Sequence, residues 1–387
     1  MNFYLALEIC TLNIRKMKQF KDVNAMCIYN WFQGKKSLPL NIEVYPTNKC
    51  NLKCIFCGTQ MYQYPTKKEL PDEKWFSIIK EANSLDKETF GLTKIYILGG
   101  GEPFVRIKLF KAILKRIRKQ AFFSVTTNAT LLDDEVIYDL VKFGWDEIVI
   151  SLDGTDEVHD FHRNKKGVFS KVIKTLSRIE ECKKRYHSEL PIIKLHTVLT
   201  DYNFDKLNPL IDLAERYKVH YLELDSLCVA PYFLDLDIKP EHLETFQNLL
   251  KNEYLPRLKK FGIKNNYSNF VESHEIIKKD NPQKGNKLKS PINPLIKKAL
   301  KTYCFYPWTR LVINAYGEVR VCCVGEGEED SGRLLSTIKE TWFNSPYLNK
   351  IRKDMMSGKP RNYCRYCPPG LIGENLRIKK IFRKCSL

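Results

Sequence analysis

Residues 42–57 read Ile42-Glu-Val-Tyr-Pro-Thr-Asn-Lys-Cys50-Asn-Leu-Lys-Cys54-Ile-Phe-Cys57. The apolar opening, Ile42 to Tyr45, predicts a β-strand. The cysteines that follow, spaced C-x3-C-x2-C, fall on the loop after it. Three close thiols make three ligands. An iron–sulfur cluster is held by cysteine thiolates, normally one per iron, so a three-thiolate loop leaves one corner of a four-iron cubane open to a ligand that is not protein. A structural zinc ion usually closes with four protein ligands and favours a C-x2-C knuckle. Half of a zinc site, or chance clustering, is the alternative reading.

Outward from this loop, strand and helix patterns alternate to about residue 227. Strands are expected at Ile42 to Tyr45, Lys94 to Leu98, Phe122 to Thr126, Glu147 to Ser151, Ile192 to Val198 and Tyr221 to Leu227. Helices are expected at Glu73 to Leu85, Ile107 to Lys119, Asp133 to Phe143, Val168 to Lys184 and Leu207 to Tyr217. Six strands alternating with five helices imply parallel βαβ units and an α/β fold. Ligands of parallel sheets gather at the carboxyl ends of the strands. The cysteine loop, Gly99-Gly100-Gly101-Glu102-Pro103, Thr126-Thr127-Asn128 and Ser151-Leu152-Asp153-Gly154 all fall at such ends. Glycines admit close backbone approach. Short polar side chains suit a ribose or a carboxylate, although Asp153 could equally cap a turn. His196 and Thr197 lie on the fifth strand. Glu223 and Asp225 share one face of the sixth. Facing inward, those acids would meet substrate; facing outward, they would be ordinary salt-bridge partners. His159 and His162 read as structural.

Cys50, Cys54 and Cys57, with Phe56 before the last cysteine, resemble the signature of radical S-adenosylmethionine (SAM) enzymes. The resemblance implies a partial (β/α)6 TIM-like barrel. It also implies a [4Fe-4S] cluster whose open iron chelates the amino and carboxylate groups of SAM, and whose reduction cleaves SAM to methionine and a 5′-deoxyadenosyl radical. Gly100, Gly101, Glu102 and Pro103 match the family's GGEP element, which contacts the SAM amino group. Asn128 and Ser151 match positions near the SAM ribose or methionine moiety, with Asp153 a further candidate. Arg163, in His159-Asp160-Phe161-His162-Arg163, resembles an arginine that could pair with the SAM carboxylate. From the residues alone, a surface arginine in a solvated ion pair fits as well.

A second cysteine set follows the pattern Cys304-x12-Gly317-x4-Cys322, then Cys364-x2-Cys367. Gly317 sits in a predicted hairpin turn between Leu311-Val312-Ile313 and Val319-Arg320-Val321. Predicted helices at Ile338 to Phe343 and Leu348 to Met356 lead to the last pair. With the Pro307-Trp308 and Trp342-Phe343-Asn344-Ser345 phrases, this segment resembles the SPASM extension of radical SAM enzymes. The family's longer form binds two auxiliary clusters, but here the cysteine run stops at Cys367. The resemblance therefore implies one auxiliary [4Fe-4S] cluster on Cys304, Cys322, Cys364 and Cys367, with Cys323 a possible substitute. Four cysteines are also a common zinc set. Cys385 stands alone, and Cys10, Cys27, Cys182 and Cys228 read as buried small apolar residues.

The expected organisation is a helical lead-in (1–40), the barrel (41–228), a helical segment and linker (229–294), a small cysteine-rich SPASM-like extension (295–374) and a basic tail (375–387). Lys+Arg of 64 against Asp+Glu of 45 gives a net charge of +19. Much of that charge is lysine scattered through helices, which reads as solvated faces. Nucleic acid is not expected, because no lysine strip is interleaved with aromatics. The dense run Arg377 to Lys384 reads as a surface-binding helix or a disordered tail. No stretch of about 18 apolar residues and no secretory signal is found, so a cytoplasmic protein without disulfides is expected.

By the family resemblance, the first expectation is oxidative modification of a peptide or protein, with an electron donor such as ferredoxin or flavodoxin. The absence of a leader-peptide-binding domain before the barrel weakens that expectation. The second is oxidation of a small alcohol, sugar or cofactor precursor. The chain lacks the Gly-Gly tail of the enzyme that begins molybdopterin synthesis. A zinc-stabilised basic RNA-binding barrel is the reading from another class.

Overall fold

The computed structural model describes residues 22–58, 68–89, 92–227, 233–267, 294–322, 331–367 and 369–384. Six strands form at the expected places: β1 (Asn41–Val44), β2 (Lys94–Ile97), β3 (Phe122–Thr127), β4 (Glu147–Ser151), β5 (Ile192–Leu199) and β6 (Tyr221–Ser226). Each pairs in parallel with the next in chain order, and this single direction of winding is that of a partial (β/α)6 barrel. The crossing helices are Asp72–Ser84, Ile107–Arg116, Asp134–Lys142, Val168–Arg185 and Asn208–Arg216. A helix not read from the sequence, Asp156–His162, follows β4 and carries both His159 and His162.

Alternation along the strands divides the barrel into two surfaces. Ile42 and Val44, Ile95 and Ile97, Ile148 and Ile150, Ile193 and Leu195, and Leu222 and Leu224 are all buried in the apolar core under the helices. Most of their strand neighbours, Val149 and Ile192 apart, are charged or polar and lie on the lumen face. Arg310 Nη1 lies 2.7 Å from Glu43, Lys194 Nζ 2.8 Å from Glu147, and His196 Nε2 3.0 Å from Asp225. Glu223 and Asp225 thus face inward, opposite the buried Leu222 and Leu224. A period of two turns one apolar face to the helices and one ionic face to the ligand side.

The C-terminal extension does not form a separate sheet beyond residue 295. Its hairpin, β8 (Arg310–Ile313) and β9 (Glu318–Arg320), turns through Gly317 at φ +77°, a left-handed conformation suited to glycine. β8 pairs in parallel with β1, in register Asn41↔Arg310, and β9 pairs with β10 (Gly332–Arg333). With β7 (Lys264–Asn265) beside β6, one sheet of ten strands runs through the chain in the order β10-β9-β8-β1-β2-β3-β4-β5-β6-β7. The helical segment expected within 229–294 is present as Leu243–Leu249 and Leu255–Lys260, joined by a π-turn. The linker before residue 294, with Cys10, Cys228, Cys323 and Cys385, lies outside the described residues.

Of the two readings of the basic tail, helix or disordered segment, the structure has the helix. Pro369–Lys384 is a helix that buries Ile378 and Phe382, spaced i and i+4, against its own chain. Arg377 pairs with Asp22 at the start of the helix Val23–Phe32, and Asn375 Oδ1 accepts from Phe305 N at 2.8 Å. The helix is therefore neither disordered nor wholly solvated. Cys27 is buried as expected, whereas Cys182 is half-buried.

Arg352, on the helix Pro346–Met356, fastens the N-terminal helix to the extension. Its guanidinium lies between the rings of Trp31 (4.6 Å) and Trp342 (4.3 Å) and donates to the carbonyls of Pro307 and Trp342, both at 2.9 Å. Lysine keeps the charge but not the planar fork. Arg352→Lys is expected to cost about 2 kcal/mol, read as a lower urea midpoint at unchanged slope.

Candidate functional site

Three loops meet above the carboxyl ends of β1 to β4. The cysteine loop is clamped by the glycine loop that follows β2: Gly101 N donates to Thr47 O and Glu102 N to Lys49 O, both at 2.9 Å. A Cβ at Gly101 would lie 2.1 Å from Lys49 O, so only glycine lets the two backbones touch. On the third side, Ile55 N donates to His162 O at 3.0 Å. Asn51 of the cysteine loop bonds Thr130 and Asn128 of the loop after β3.

Cys50 is exposed, while Cys54 and Cys57 are half-buried; none of the described cysteines is joined in a disulfide. Donors converge on the sulfurs. Cys50 Sγ accepts from Leu52 N (3.4 Å) and Asn128 Nδ2 (3.9 Å), and Cys54 Sγ accepts from Arg163 Nη1 (3.7 Å). Burial pushes the Cys54 thiol up, against the pull of Arg163. Positive charge beside the sulfurs is what a thiolate here needs, and a cluster iron would supply it.

Arg163 is not the solvated surface residue the sequence allowed. It is buried, with its guanidinium 2.6 Å from Asp153 and 5.5 Å from the ring centroid of Phe56. Asp153 does not merely cap a turn either. It is fully buried and also accepts from Val198 N at 3.0 Å. Burial is the largest single influence and raises its pKa, but the Arg163 guanidinium, with His159, His162 and the Val198 N–H, together outweigh it and hold the carboxyl below its ordinary value. Glu102 is likewise committed to its own chain: its oxygens accept from Phe104 N (3.1 Å), Thr127 Oγ1 (2.7 Å) and Asn128 N (2.8 Å). Burial nevertheless raises its pKa. Glu102 and Pro103, which opens a 3-10 turn, therefore brace the loop, leaving the backbone of Gly100 and Gly101 at its tip. Ser151 is half-buried at the end of β4, in register with His196.

The sequence did not reveal the layer beneath. His159 Nδ1 accepts from Asp153 N (3.1 Å), and His162 Nε2 meets Thr200 Oγ1 (2.8 Å). Asn203 Nδ2 ties Asp153 O to Val198 O. The only hint lay in the turn-forming residues of Thr200-Asp-Tyr-Asn203 after β5.

In the extension, Cys304, Cys364 and Cys367 all act on the phenol of Tyr303, whose pKa is raised first by burial and then by those thiols. Cys322 directly follows the hairpin and packs, half-buried, on the same core as Cys304 and Cys364. Burial pushes the Cys304 thiol up to about 11. Among the described residues, no three His, Cys, Asp or Glu side chains converge as tightly as a single metal ion requires.

Residues 44–214 match the Radical SAM superfamily, and residues 304–368 match SPASM, an iron-sulfur cluster-binding domain. The chain is a radical SAM protein with a C-terminal SPASM domain. Over 173 residues the radical SAM chain is 28% identical to Fe-coproporphyrin III synthase of Methanosarcina barkeri, covering 45% of this chain and 40% of that protein. Over 179 residues it is 28% identical to PqqA peptide cyclase of Granulibacter bethesdensis, covering 46% and 44%. The matches thus span less than half the length of these relatives. The fold resembles Streptococcus suis SuiB bound to the precursor peptide SuiA, with a TM-score of 0.60 at 16% identity over 91% of this chain and 72% of that one. No helix among the described residues is long and apolar enough to cross a membrane.

Proposed function

We propose that this radical SAM chain modifies a peptide or protein oxidatively, using one SAM-binding [4Fe-4S] cluster and one auxiliary cluster. The observation that carries the reading is the cysteine loop, three thiols held over the barrel mouth by a glycine backbone that admits no side chain. When bound, the first cluster and SAM together supply a 5′-deoxyadenosyl radical for hydrogen abstraction. Cys50, Cys54 and Cys57 would hold three irons. The Gly100–Gly101 backbone, Asn128 and Ser151 line the strand ends where SAM would lie. Arg163, neutralised by Asp153, orients Phe56 and donates to Cys54. The ionic lumen below, with His196, Asp225 and Glu223, would receive the substrate and hold its protons. Cys304, Cys322, Cys364 and Cys367 would hold the auxiliary cluster, whose closed thiolate shell suits electron transfer.

Likeness to a peptide cyclase supports a peptide substrate. Likeness to Fe-coproporphyrin III synthase supports the second reading, a small cofactor precursor. Anaerobic reconstitution should yield about eight irons per chain if each site holds a four-iron cubane. SAM with a reductant should give 5′-deoxyadenosine, and a peptide substrate should lose two hydrogens by mass in step with it. If 5′-deoxyadenosine accumulates in step with a modified tetrapyrrole and with no peptide offered, the second reading stands. If no 5′-deoxyadenosine forms in reduced, iron-loaded protein, both fail.

A further inference from the structure

The helix Pro369–Lys384 opens two residues after Cys367 and lies along the segment that begins at Cys304. Asn375, Ile378, Lys379 and Phe382 fall on one face of it, at i, i+3, i+4 and i+7. Phe382 is buried with its ring 5.9 Å from that of Phe305. Asn375 is buried too, and besides holding Phe305 N it donates through Nδ2 to Leu371 O at 2.8 Å. Its neighbour Glu374 accepts from Tyr306 Oη at 2.5 Å. The helix is thus fixed along Cys304-Phe305-Tyr306, the stretch that carries the first auxiliary thiol. At that thiol, the Tyr306 backbone and the Asn375 side chain both act as hydrogen-bond partners and oppose the effect of burial.

Lys379 is the odd member of this face. It is half-buried, one turn beyond Asn375, and it makes no hydrogen bond or ion pair among the described residues. Burial and Arg383 disfavour its charge, and the group acting the other way is Cys304. Arg310 also acts on Cys304, but Glu43 engages it at 2.7 Å. A cation taken out of water is costly without an anion beside it. A cluster with a shell of thiolates carries net negative charge and would be that anion.

We propose that Lys379 and Asn375 set the reduction potential of the auxiliary cluster, the ammonium as its counter-charge and the amide as a donor to the sulfur of Cys304. The inference rests on the reading of Cys304, Cys322, Cys364 and Cys367 as cluster ligands. On reduction the cluster gains one electron from the substrate and its negative charge grows by one; no bond to it forms or breaks. A fixed cation and a donor to sulfur both favour the more negative form, so they raise the potential. A raised potential makes the cluster a better electron acceptor, which is the direction an oxidative modification needs.

The test uses the full chain with Cys50→Ala, Cys54→Ala and Cys57→Ala, so that iron bound after anaerobic reconstitution belongs to the second cysteine set. The midpoint potential is read by electron paramagnetic resonance in this background and with Lys379→Arg, Lys379→Gln, Lys379→Glu or Asn375→Asp added. At the background's midpoint, Lys379→Gln should lower the reduced-to-oxidised ratio about tenfold, which is about 59 mV for one electron. Lys379→Glu should lower it further, and Lys379→Arg should leave it near the background. Asn375→Asp keeps an acceptor for Phe305 N, loses the donor and should also lower the ratio. If Lys379→Gln fails to hold the cluster and Lys379→Arg holds it, the counter-charge is shown directly. Potentials unchanged in Lys379→Gln and Lys379→Glu would overturn the proposal. So would an equal fall in Lys379→Arg and Lys379→Gln, or a cluster lost from all three, either of which would make Lys379 a packing residue. A background that binds zinc, or no metal, would sink the auxiliary-cluster reading itself, and the tuning with it.

Discussion

In Gly101→Ala, the iron retained after anaerobic reconstitution is expected to fall by about half, with SAM cleavage lost and the auxiliary site still loaded. The added methyl would stand 2.1 Å from Lys49 O, 2.6 Å from Lys49 C and 2.7 Å from Asn48 C. All three are backbone atoms, so no side-chain rotation relieves the contact. The cysteine loop must lift, breaking the bonds Gly101 N–Thr47 O and Glu102 N–Lys49 O that set its height. A shift of about an ångström in a supporting shell is enough to disable a site. Iron analysis separates this outcome from general misfolding. A variant that keeps the parental iron and still forms 5′-deoxyadenosine would show the clamp to be dispensable.

Arg163→Met is expected to lose about 3–5 kcal/mol of stability, because it strands the buried Asp153 carboxylate without its partner. The two groups are 8% and 0% exposed, so solvent screens the pair little. The pH dependence has a definite sign. The folded pKa of Asp153 is depressed, so the pair's contribution is fully present above the unfolded value near 4. It fades as pH falls through the lower folded value. In the variant, burial acts on Asp153 without the Arg163 charge to oppose it, so its pKa rises and protonation relieves the strain. The gap between parent and variant should therefore be widest near neutrality and narrow below about pH 4. Urea unfolding across that range measures it. A gap that does not change with pH would mean the loss comes from packing around Phe56.

The barrel was legible because its strands and helices carry their periods plainly. The core residues of Val168–Arg185 recur every three or four positions, and β5 was marked by its run of β-branched and apolar residues, of which every second one is buried. The site loops were legible because cysteines and glycines fell at strand ends. Other features depended on partners distant in sequence. Asn41 and Arg310 pair across most of the chain, and nothing local announces that pairing. Asp153 and Arg163 each had an ordinary role open to them, and only folding brings them into contact. The helix Asp156–His162 buries two histidines held by hydrogen bonds, so it shows no apolar stripe. In the C-terminal helix the opposite happened. Ile378 and Phe382 were an apolar pair at helical spacing, masked by the cations around them.

β1, the strand that launches the cysteine loop, is flanked by β2 on one side and by β8 on the other. Severing the chain ahead of Cys304 would strip one flank and leave a raw row of amides and carbonyls next to the cysteine loop, an invitation to sticky self-association. Neither half of this protein is therefore a self-sufficient cassette. Any rearrangement of the cysteine-rich half, such as the arrival of a guest, would tug directly on the strand from which the other half's sulfurs hang.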